Sequence, residues 1–429
     1  MNVALSQIAT IDNSHLNISG SKSETNRLLL LHALYPNLKL ENTSNSNDSE
    51  VMLKALTAKF SSEARHHERN RTAKEIDIHH AGTAMRFLTA YFAIQEGSEV
   101  ILTGSARMKQ RPIQILVEAL QKLGADISYE KESGFPPLRI KGKKLPNHQV
   151  TLAANVSSQY ISALLLIAPK LENGLELTLE GKITSMPYIQ MTLNLLHQIG
   201  IETSFKENKI NVLPNFEFKT KNPNPKIIVE SDWSSASYFY SIVALSKTET
   251  KIQLSSFKEN SLQGDSALVE IYKSFGVEST FKSSKLTLRK TTQTLNPEPL
   301  TLHLQNTPDI AQTLAVTCFG LGIACRLTGL HTLKIKETDR LEALQRELSK
   351  LGAKVTITED TLTLEASSKK VIATNEAIST YNDHRMAMAF APLALRVPII
   401  IQDAEVVSKS YPNFWNDLKN IGFQISEIK

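Results

Sequence analysis

Arginines recur where helices are predicted to begin, and this placement is the feature of the sequence that best indicates chemistry. They lie in, or just before, the first predicted turn of their helices: Arg27, Arg86, Arg111, Arg340 and Arg385. A helix N-terminus carries partial positive charge, so an arginine there is unfavourable unless an anion compensates it. A planar guanidinium suits carboxylate and phosphate groups, which favours an anionic substrate. The alternative is pairing with nearby carboxylates, namely Glu24, Glu337, Asp339 and Asp383.

Three serine-rich segments also lie at predicted helix starts. They are GSKSETNR with Lys22 and Ser23, NVSSQY with 157–159, and ESDWSSASY with Ser234 and Ser235. A serine there commonly caps the helix, so each segment alone is weak evidence. Beside unpaired backbone N–H groups, such serines also form phosphate sites. The sequence contains no GxxxxGKS/T, no GxGxxG after a strand, no HExxH and no DxDxDG, so we expect neither a nucleotide cofactor nor a metal.

The composition is that of an ordinary globular protein. The 429 residues are 41% hydrophobic and 21% charged, which excludes long disorder, collagen-like repeats and long coiled coil. A total of 48 basic and 43 acidic residues gives a formal charge of +5, a mild excess that permits an anionic small molecule. Nucleic-acid binding would need a basic stripe with stacking aromatic residues, and only 6% of the residues are aromatic.

The cysteines and apolar runs indicate the cellular setting. Cys318 and Cys325 lie in one apolar segment, CFGLGIAC, and are predicted to be buried free thiols. The N-terminus has no basic segment followed by an apolar core, so we expect no signal peptide. The longest apolar runs, such as ISALLLIAP, are about half a membrane span. Together these features predict a soluble cytoplasmic protein that does not interact with a membrane.

Predicted helix ends recur at a fixed interval. Four helical segments end in an apolar residue, a glycine and a strand-like run, and the successive glycines are 76 residues apart: Gly124, Gly200, Gly276 and Gly352. A fifth copy, LKNIGFQI, has Gly422 after a step of 70 residues. One glycine after a helix is an ordinary C-cap, but five at a near-constant interval indicate repeated structural units.

A second helix precedes each of these ends, with predicted starts near Thr25, Gly82, Ser157, Trp233, Pro308 and Asp383. Short β-rich runs such as SEVILTG, LELTLEG and VPIIIQD lie between the helices. We therefore predict six units of strand–helix–strand–helix–strand–strand, the first one shortened, grouped as two domains of three. Pro112 fits the first position of a helix, whereas Thr338 and either Asn382 or Asp383 fit N-caps.

Two segments between the predicted elements are interpreted as connections. The Pro-rich segment 219–229 is the best linker candidate. The polar segment 61–74 is interpreted as a surface loop or a truncated piece of the first unit. Its His66 and His67, with His79 and His80, leave a metal site as the alternative, but no cysteine or carboxylate pattern completes one.

Nine segments, in one order along the chain, together resemble the EPSP synthase family of 3-phosphoshikimate 1-carboxyvinyltransferases. They are SGSKSETNR, AGTAMRFL, ARMKQRPI, SSQYISALLL, SMPYIQMTLNLL, TPDIAQTLA, LKIKETDRL, YNDHRMAMA and VVSKSYPNFW. The resemblance runs essentially end to end, and KETDR and NDHRMAM are highly specific to that family. The related UDP-N-acetylglucosamine enolpyruvyl transferases typically use a cysteine in the first domain, whereas both cysteines here lie in the second half.

The resemblance implies an α/β fold of two inverse α/β barrel-like domains, each of three βαβαββ units, with the active site in the interdomain cleft. The first domain would span residues 20–226 and mainly bind shikimate 3-phosphate. The second domain would combine residues 1–19 with 227–429 and carry the acid–base residues and phosphoenolpyruvate contacts. Helix N-termini that face the cleft would explain why arginines cluster at helix starts.

The implied reaction transfers the enolpyruvyl (carboxyvinyl) group of phosphoenolpyruvate to the 5-hydroxyl of shikimate 3-phosphate, a step of aromatic amino acid biosynthesis. The hydroxyl adds to the enol carbon while the methylene carbon takes a proton, and phosphate then leaves the tetrahedral intermediate. The substrates carry two phosphates and two carboxylates between them, which matches the predicted anion sites. We expect no cofactor, no metal, no nucleic-acid partner and a monomeric enzyme.

The resemblance also assigns residues to each substrate. Those expected to bind shikimate 3-phosphate are Ser23, Arg27, Ser157, Ser158, Gln159, Ser185 and Tyr188. Those expected to bind phosphoenolpyruvate are Lys22, Gly82, Arg111, Arg340, Arg385 and Lys409. A side chain at Gly82 would obstruct the approach of a ligand to the backbone. Tyr188 could instead belong to the core, and Arg86 is the arginine for which a structural role is the alternative.

Four residues are expected to be catalytic: Asp309, Glu337, Lys336 and Lys22. Asp309, which with Lys336 would also contact substrate, would receive the proton of the 5-hydroxyl. By its position alone, Asp309 is an ordinary helix-start carboxylate. Glu337 would deliver a proton to the methylene carbon and later remove one, assisted by Lys336. Lys336 and Arg340 should lower the pKa of Glu337, whereas burial should raise it.

Three positions depart from the pattern of well-known family members. His80 and Thr332 stand where some members have asparagine, and Phe87 stands where many have proline. These departures put a substrate-hydroxyl contact and the shape of the cleft in doubt. The alternatives to the enzyme are an inactive relative that only binds phosphorylated metabolites and a nucleic-acid-binding protein. The presence of the complete acid–base set argues against the inactive relative.

Overall fold

The computed structural model describes residues 1–11, 13–58, 73–153, 157–181, 183, 185–216, 225–247, 249–292, 298–366 and 376–428. The chain forms two compact units. Unit 1 comprises Met1–Ser21 and Glu230–Lys429, and unit 2 comprises Lys22–Val229. Within the described ranges no helix is both long enough and apolar enough to cross a membrane.

Short strands alternate with helices along the whole chain. The strands are β1 (Asn2–Leu5), β2 (Ser14–Leu16), β3 (Lys39–Glu41), β4 (Lys74–Asp77), β5 (Glu99–Thr103), β6 (Asp126–Tyr129), β7 (Leu138–Lys141), β8 (Gln149–Ala153), β9 (Leu175–Glu180), β10 (Thr203–Lys206), β11 (Lys209–Val212), β12 (Lys226–Ile228), β13 (Lys251–Ser255), β14 (Val277–Lys282), β15 (Lys285–Lys290), β16 (Leu300–His303), β17 (Cys325–Thr328), β18 (Val355–Ile357), β19 (Leu362–Leu364), β20 (Ala377–Ile378), β21 (Ile399–Ile401) and β22 (Ile425–Ile428). The helices are α1 (Lys22–Leu34), α2 (Asn47–Leu56), α3 (Gly82–Ala93), α4 (Gln114–Leu123), α5 (Ser158–Ile167), α6 (Met186–Gln198), α7 (Trp233–Leu245), α8 (Leu268–Lys273), α9 (Ala311–Leu321), α10 (Arg340–Lys350), α11 (His384–Phe390) and α12 (Phe414–Asn420).

Five four-stranded sheets share one topology, in which a parallel pair of strands is extended by an antiparallel pair. The strand orders are β4-β5-β7-β6 and β8-β9-β11-β10 in unit 2, and β2-β13-β15-β14, β16-β17-β19-β18 and β20-β21-β1-β22 in unit 1. A sixth, smaller sheet pairs β3 with β12 in parallel. The predicted α/β fold of six repeats, with the first one smallest, is confirmed.

The N-terminal strands pair with the C-terminal half of the chain. β1 lies between β21 and β22, with Val3 opposite Ile401, and β2 pairs with β13. β12 instead pairs with β3 in unit 2. Residues 226–228 of the predicted linker are therefore a strand, and residues 219–224 lie outside the described part of the chain. Most of the predicted loop 61–74 also lies outside it.

The central helices form the interior of each unit. α7 and α9 are buried on nearly every face, as expected for helices that are hydrophobic all round. The strands instead alternate in burial, as in β13 and β9, so that one face of each sheet meets the helices. The term inverse α/β describes this arrangement, in which the helices lie inside and the sheets outside. Cys318 and Cys325 lie in this interior as buried free thiols, as predicted.

Buried hydroxyl groups join equivalent helices of neighbouring repeats in unit 1. Ser237 Oγ lies 3.0 Å from Thr313 Oγ1, and Thr317 Oγ1 donates to Ser241 Oγ at 2.8 Å. Both pairs are 76 residues apart, the interval already found for the glycines. Tyr272 also bonds Thr317 through its hydroxyl, at 2.9 Å. Small side chains let the helices approach, and the hydrogen bonds satisfy polar atoms that water cannot reach.

Two predicted helix starts are wrong, by three and by two residues. α1 begins at Lys22 rather than near Thr25, so Arg27 lies in its second turn and not its first. α4 begins at Gln114, which leaves Pro112 before the helix instead of at its first position. The Pro112 carbonyl accepts two side-chain hydrogen bonds from other helices, which fixes this residue outside α4.

One of the predicted N-caps is also wrong. The N-cap of α10 is Asp339 rather than Thr338, and its carboxylate accepts hydrogen bonds from the backbone N–H groups of Leu341 and Glu342. A carboxylate that satisfies two of the unpaired N–H groups and carries negative charge is the stronger cap. Asp383 is confirmed as the N-cap of α11.

The hydroxyl contacts between repeats should be required for stability. Thr317→Val keeps the side-chain shape but leaves the buried hydroxyls of Tyr272 and Ser241 without this partner. We expect the free energy of unfolding in urea to fall by about 1–3 kcal/mol. Thr356→Val, at an exposed position of β18, is the matched control. Equal stabilities of the two variants would contradict the role of the buried contacts.

Candidate active site

Several of the predicted site residues follow the carboxyl ends of parallel strands. In unit 1 Asp309 follows β16 and Arg385 follows β20, while in unit 2 Gly82 follows β4 and Ser157 follows β8. Each residue is at, or close to, the start of the next helix. β16 and β20 belong to different sheets, so Asp309 and Arg385 come together because they hold equivalent positions in neighbouring repeats.

Arg340 is the centre of an ion-pair cluster in unit 1. Its Nε donates to Asp383 Oδ2 at 2.7 Å, its Nη1 to Asp309 Oδ1 at 3.0 Å, and its Nη2 to Glu337 Oε2 at 2.9 Å. The Arg340 side chain is 2% exposed and that of Asp383 is fully buried. Burial alone would lower the pKa of Arg340, but the three carboxylates offset burial and raise the pKa above its ordinary value.

Asp309 is shared by three cations. Besides its bond to Arg340, its Oδ2 lies 3.2 Å from Arg385 Nη2 and its Oδ1 lies 3.6 Å from Lys336 Nζ. Burial alone would raise the pKa of Asp309, but Arg385, Lys336 and Arg340 hold it well below its usual range. Asp309 is therefore ionised at neutral pH and can accept hydrogen bonds or, once its cations are shared with an anion, a proton.

Glu337 bridges two cations. Its Oε2 accepts from Arg340, and its Oε1 accepts from Lys409 Nζ at 2.8 Å. Glu337 lies in the turn between a 3-10 helix, His331–Ile335, and α10, whereas Lys409 ends the 3-10 helix Ala404–Lys409. The two side chains are 14% and 11% exposed, so this pair is close to solvent without being fully hydrated. Such a carboxylate can exchange a proton with a ligand that displaces one of its cations.

A second buried carboxyl group, Asp265, lies behind Arg385. Ser234 Oγ donates to Asp265 Oδ2 and accepts from Arg385 Nη2 at 3.3 Å. Burial raises the pKa of Asp265 to about 7, and the nearby Asp309 adds to the rise. No motif identifies Asp265, because an aspartate after a glycine at a helix start is common. The only sequence feature that indicated this part of the site was the serine-rich segment with Ser234, which bonds Asp265.

Arg27 occupies a buried position in unit 2. Its Nη1 donates to the Ser23 carbonyl at 2.7 Å and its Nη2 to Ser162 Oγ at 3.0 Å. The guanidinium also lies over two aromatic rings, 5.4 Å from the centroid of Phe87 and 5.9 Å from that of Tyr188. Burial lowers the pKa of Arg27 to about 10, so the group remains charged at neutral pH. The structure thus brings Tyr188 next to Ser23 and Arg27, which were predicted from a different segment.

Gly82 leaves room for the guanidinium of Arg111. A Cβ atom at position 82 would lie 2.5 Å from Arg111 Nη1, so a larger residue would have to displace the arginine. Arg111 Nε is buried and has no hydrogen-bond partner among the described residues. This Nε is therefore a buried donor that no described residue satisfies.

Lys22 Nζ lies 3.2 Å from Asp48 Oδ2, a carboxylate that no motif identified.

The predicted serines lie at the starts of α5 and α6. Ser157 caps α5 and accepts from the N–H of Gln159 at 3.3 Å, while Ser158 is buried in the first turn. Gln159 Nε2 donates to Thr83 Oγ1 at 3.1 Å, which connects α5 to the start of α3. Ser185 has φ 55° and makes no side-chain cap bond to α6. Its hydroxyl is therefore not used as a helix cap.

The contacts of Arg86 are those of a structural residue, the alternative that the sequence left open for this arginine. Its Nη1 donates to the Gly82 carbonyl at 3.1 Å and its Nη2 to the Pro112 carbonyl at 3.0 Å. Its guanidinium also lies over the ring of Tyr160. These contacts connect α3, α5 and the segment that carries Arg111.

Two of the four histidines predicted as an alternative metal site, His79 and His80, belong to the described part of the chain. His66 and His67 lie outside the described residues. His80 Nδ1 forms a hydrogen bond with Ser105 Oγ at 2.8 Å. Across the part of the chain that the structure describes, no group of three or more His, Cys, Asp or Glu side chains could hold a metal ion.

Comparison with protein families and sequences gives one result over nearly the whole chain. A family model described as EPSP synthase (3-phosphoshikimate 1-carboxyvinyltransferase) matches residues 8–418. A 3-phosphoshikimate 1-carboxyvinyltransferase of Bacteroides fragilis strain YCH46 is 45% identical over 416 residues, which cover 96% of this chain and 95% of the relative. One from Haemophilus influenzae strain Rd is 34% identical over 437 residues, 98% of each chain.

Solved structures share the fold. An EPSP synthase from Acinetobacter baumannii superposes with a TM-score of 0.76 at 22% identity, covering 99% of this chain and 100% of that one. The enolpyruvyl transferase NikO from Streptomyces tendae superposes with a TM-score of 0.69 at 13% identity, covering 99% and 98%. At these identities the likeness concerns the architecture.

Asp265→Asn should change stability in a pH-dependent way. The pKa of Asp265 is about 7 in the folded chain, whereas an unfolded aspartate has a pKa of about 3.9. Because the pKa of Asp265 is higher in the folded chain, its contribution to stability is complete below the pKa of the unfolded chain. The contribution is lost as the pH rises towards about 7. The free energy of unfolding of Asp265→Asn minus that of the wild type should therefore be larger at about pH 8 than at about pH 5. The difference should grow by roughly 1 kcal/mol per pH unit between about pH 5 and about pH 7.

The measurement is urea unfolding at both pH values. Asp126→Asn, at an exposed position of β6, is the matched control, and its effect should be equal at the two values. A pH-independent effect of Asp265→Asn would contradict the raised pKa.

Proposed function

Because the chain belongs to the EPSP synthase family, it transfers the enolpyruvyl group of phosphoenolpyruvate to shikimate 3-phosphate, and we propose that the Arg340 cluster supplies the acid–base groups. The products are 5-enolpyruvylshikimate 3-phosphate and phosphate, in the shikimate pathway. The observation that carries the proposal is the pair of carboxylates, Asp309 and Glu337, held 3.0 and 2.9 Å from two nitrogens of one buried guanidinium.

Asp309 takes the proton of the 5-hydroxyl in this proposal. Its low pKa in the ligand-free chain makes it a weak base, because Arg385, Lys336 and Arg340 all stabilise the ionised form. An anionic substrate that binds these cations draws their charge away from the carboxylate. The basicity of Asp309 then rises only when the substrate is present, which suits a general base for an alcohol.

Glu337 gives a proton to the methylene carbon and later removes one. Its two oxygens are held by Arg340 and Lys409, so the carboxyl group has one fixed orientation. A phosphate that binds Lys409 would release Oε1 for proton transfer. Lys336 and Lys22 supply further positive charge to the transition state, whose phosphate and carboxylate carry the negative charge.

The remaining assignments follow the family resemblance and the contacts of each side chain. Shikimate 3-phosphate is assigned to Ser23, Arg27, Ser157, Ser158, Gln159, Ser185 and Tyr188. Phosphoenolpyruvate is assigned to Lys22, Gly82, Arg111, Arg340, Arg385 and Lys409. Two observations support an anion site at the start of α3: the Arg111 guanidinium lies directly against Gly82, and its buried Nε lacks a partner among the described residues.

Several finer features stay predictions. They are the domain boundaries at 19/20 and 226/227, the position of the active site between the domains, the absence of a cofactor, and a cytoplasmic, monomeric enzyme.

Turnover should depend on both proposed acid–base carboxylates. We expect Glu337→Gln and Asp309→Asn each to lower kcat by about 10²–10⁴-fold, because each removes one proton-transfer step while keeping the side-chain shape. Binding of shikimate 3-phosphate, followed by calorimetry, should be retained. Glu359→Gln, at an exposed ion pair with Lys334, is the matched control and should keep full activity. Near-full activity of either site variant would remove that residue from the mechanism.

The activity itself is tested by phosphate release. Folded protein mixed with shikimate 3-phosphate and phosphoenolpyruvate should release phosphate only when both substrates are present. A chain that binds shikimate 3-phosphate but releases no phosphate would instead be the inactive binding relative. Absence of both binding and release would sink the assignment.

A further inference from the structure

The segment that leads into α11 has an unusual backbone. Residues 379–383 connect β20 to α11, and two successive residues in this segment adopt left-handed φ angles, 54° for Tyr381 and 55° for Asn382. Such conformations cost about 1–3 kcal/mol each and persist only where the surroundings fix them. The segment ends at the N-cap Asp383, two residues before Arg385.

Glu347 holds the first half of this segment. Its Oε1 accepts from the Tyr381 hydroxyl at 2.5 Å, and its Oε2 accepts from the backbone N–H of Ser379 at 3.1 Å. The Glu347 side chain is fully buried, and Lys350 Nζ lies 2.7 Å from its Oε2. A buried carboxylate is retained only when its oxygens are satisfied, and here two of the three donors belong to the left-handed segment.

Arg340 holds the second half of the same segment. Arg340 is the first residue of α10 and bonds the Asp383 carboxylate, whereas Glu347 lies two turns further along that helix. The left-handed pair therefore lies between two attachments to a single rigid helix. The Asp383 carboxylate in turn accepts from the backbone N–H of Arg385 at 2.9 Å, which sets the first turn of α11.

We infer that Glu347 is a positioning residue for Arg385: through Ser379 and Tyr381 it fixes the left-handed turn from which α11 starts. The inference rests on the proposed role of Arg385 in binding phosphoenolpyruvate. Without the contacts to Glu347, Tyr381 and Asn382 gain access to right-handed conformations, and the start of α11 rotates. Displacement of about 1 Å at a binding group can cost about 10²-fold in rate.

Two variants test the inference by different routes. Tyr381→Phe removes only the hydroxyl donor, and Glu347→Gln removes the charge of the acceptor while keeping its shape. For both we expect the KM for phosphoenolpyruvate to rise about tenfold, as for loss of one hydrogen bond to a charged group. The KM for shikimate 3-phosphate should change less than about twofold, because Arg385 is not assigned to that substrate. Tyr381→Phe decides the question if Glu347→Gln does not fold.

A control and a benchmark accompany these variants. Glu342→Gln, on the same helix, breaks an exposed ion pair with Arg346 and should change neither KM. Arg385→Lys, which loses the planar fork, should raise the KM for phosphoenolpyruvate by more than either positioning variant. The melting temperature of each variant is measured in parallel.

Two outcomes would overturn the inference, and they are distinguishable. If Arg385→Lys raises the KM while Tyr381→Phe only lowers the melting temperature, Glu347 is a structural residue and the proposed function stands. If Arg385→Lys leaves the KM unchanged, the proposed role of Arg385 fails, and the inference about Glu347 fails with it.

Discussion

One buried guanidinium holds the proposed acid–base site of unit 1 together. Arg340 donates to three carboxylates, Asp383, Asp309 and Glu337, which reach it from the ends of different strands. A buried charge that loses one partner costs about 3–5 kcal/mol, so these segments are constrained to stay where the guanidinium can satisfy all of them. The positions of the proposed acid–base groups therefore follow from the electrostatics of Arg340 rather than from the loops themselves.

The repeat explains why such a cluster can form at all. Hydroxyl pairs spaced by 76 residues, such as Ser237 with Thr313, fix equivalent helices side by side in neighbouring repeats. Helices packed in register start at the same level, so their N-termini and the preceding strand ends converge. Asp309 and Arg385 lie close to the starts of two such helices, and they meet as an ion pair. A repeated fold thus turns a regular spacing in sequence into a local concentration of charge.

The pKa values of two neighbouring carboxyl groups, Asp309 and Asp265, are shifted in opposite directions. Cations hold the pKa of Asp309 well below its usual range, while burial raises that of Asp265 to about 7. One group is therefore an ionised acceptor and the other keeps its proton over much of the acidic to neutral range. Ser234 and Arg385 lie between them, so a change of charge at one carboxyl group is felt at the other through a short polar path.

The sequence alone determined the six repeats, the strands between the helices, the family and the residues expected to bind anions, because periodicity, glycine spacing and specific motifs are local signals. Only the tertiary structure decided that Asp339 rather than Thr338 caps α10 and that Arg86 bonds backbone carbonyls of its own unit. It also decided that Asp265 lies behind Arg385 and that Glu347 bonds the segment before α11. Glu347 and Tyr381 are 34 residues apart, and Arg340 and Asp383 are 43 apart. Nothing local marks such pairs, since the packing of strands and helices brings them into contact.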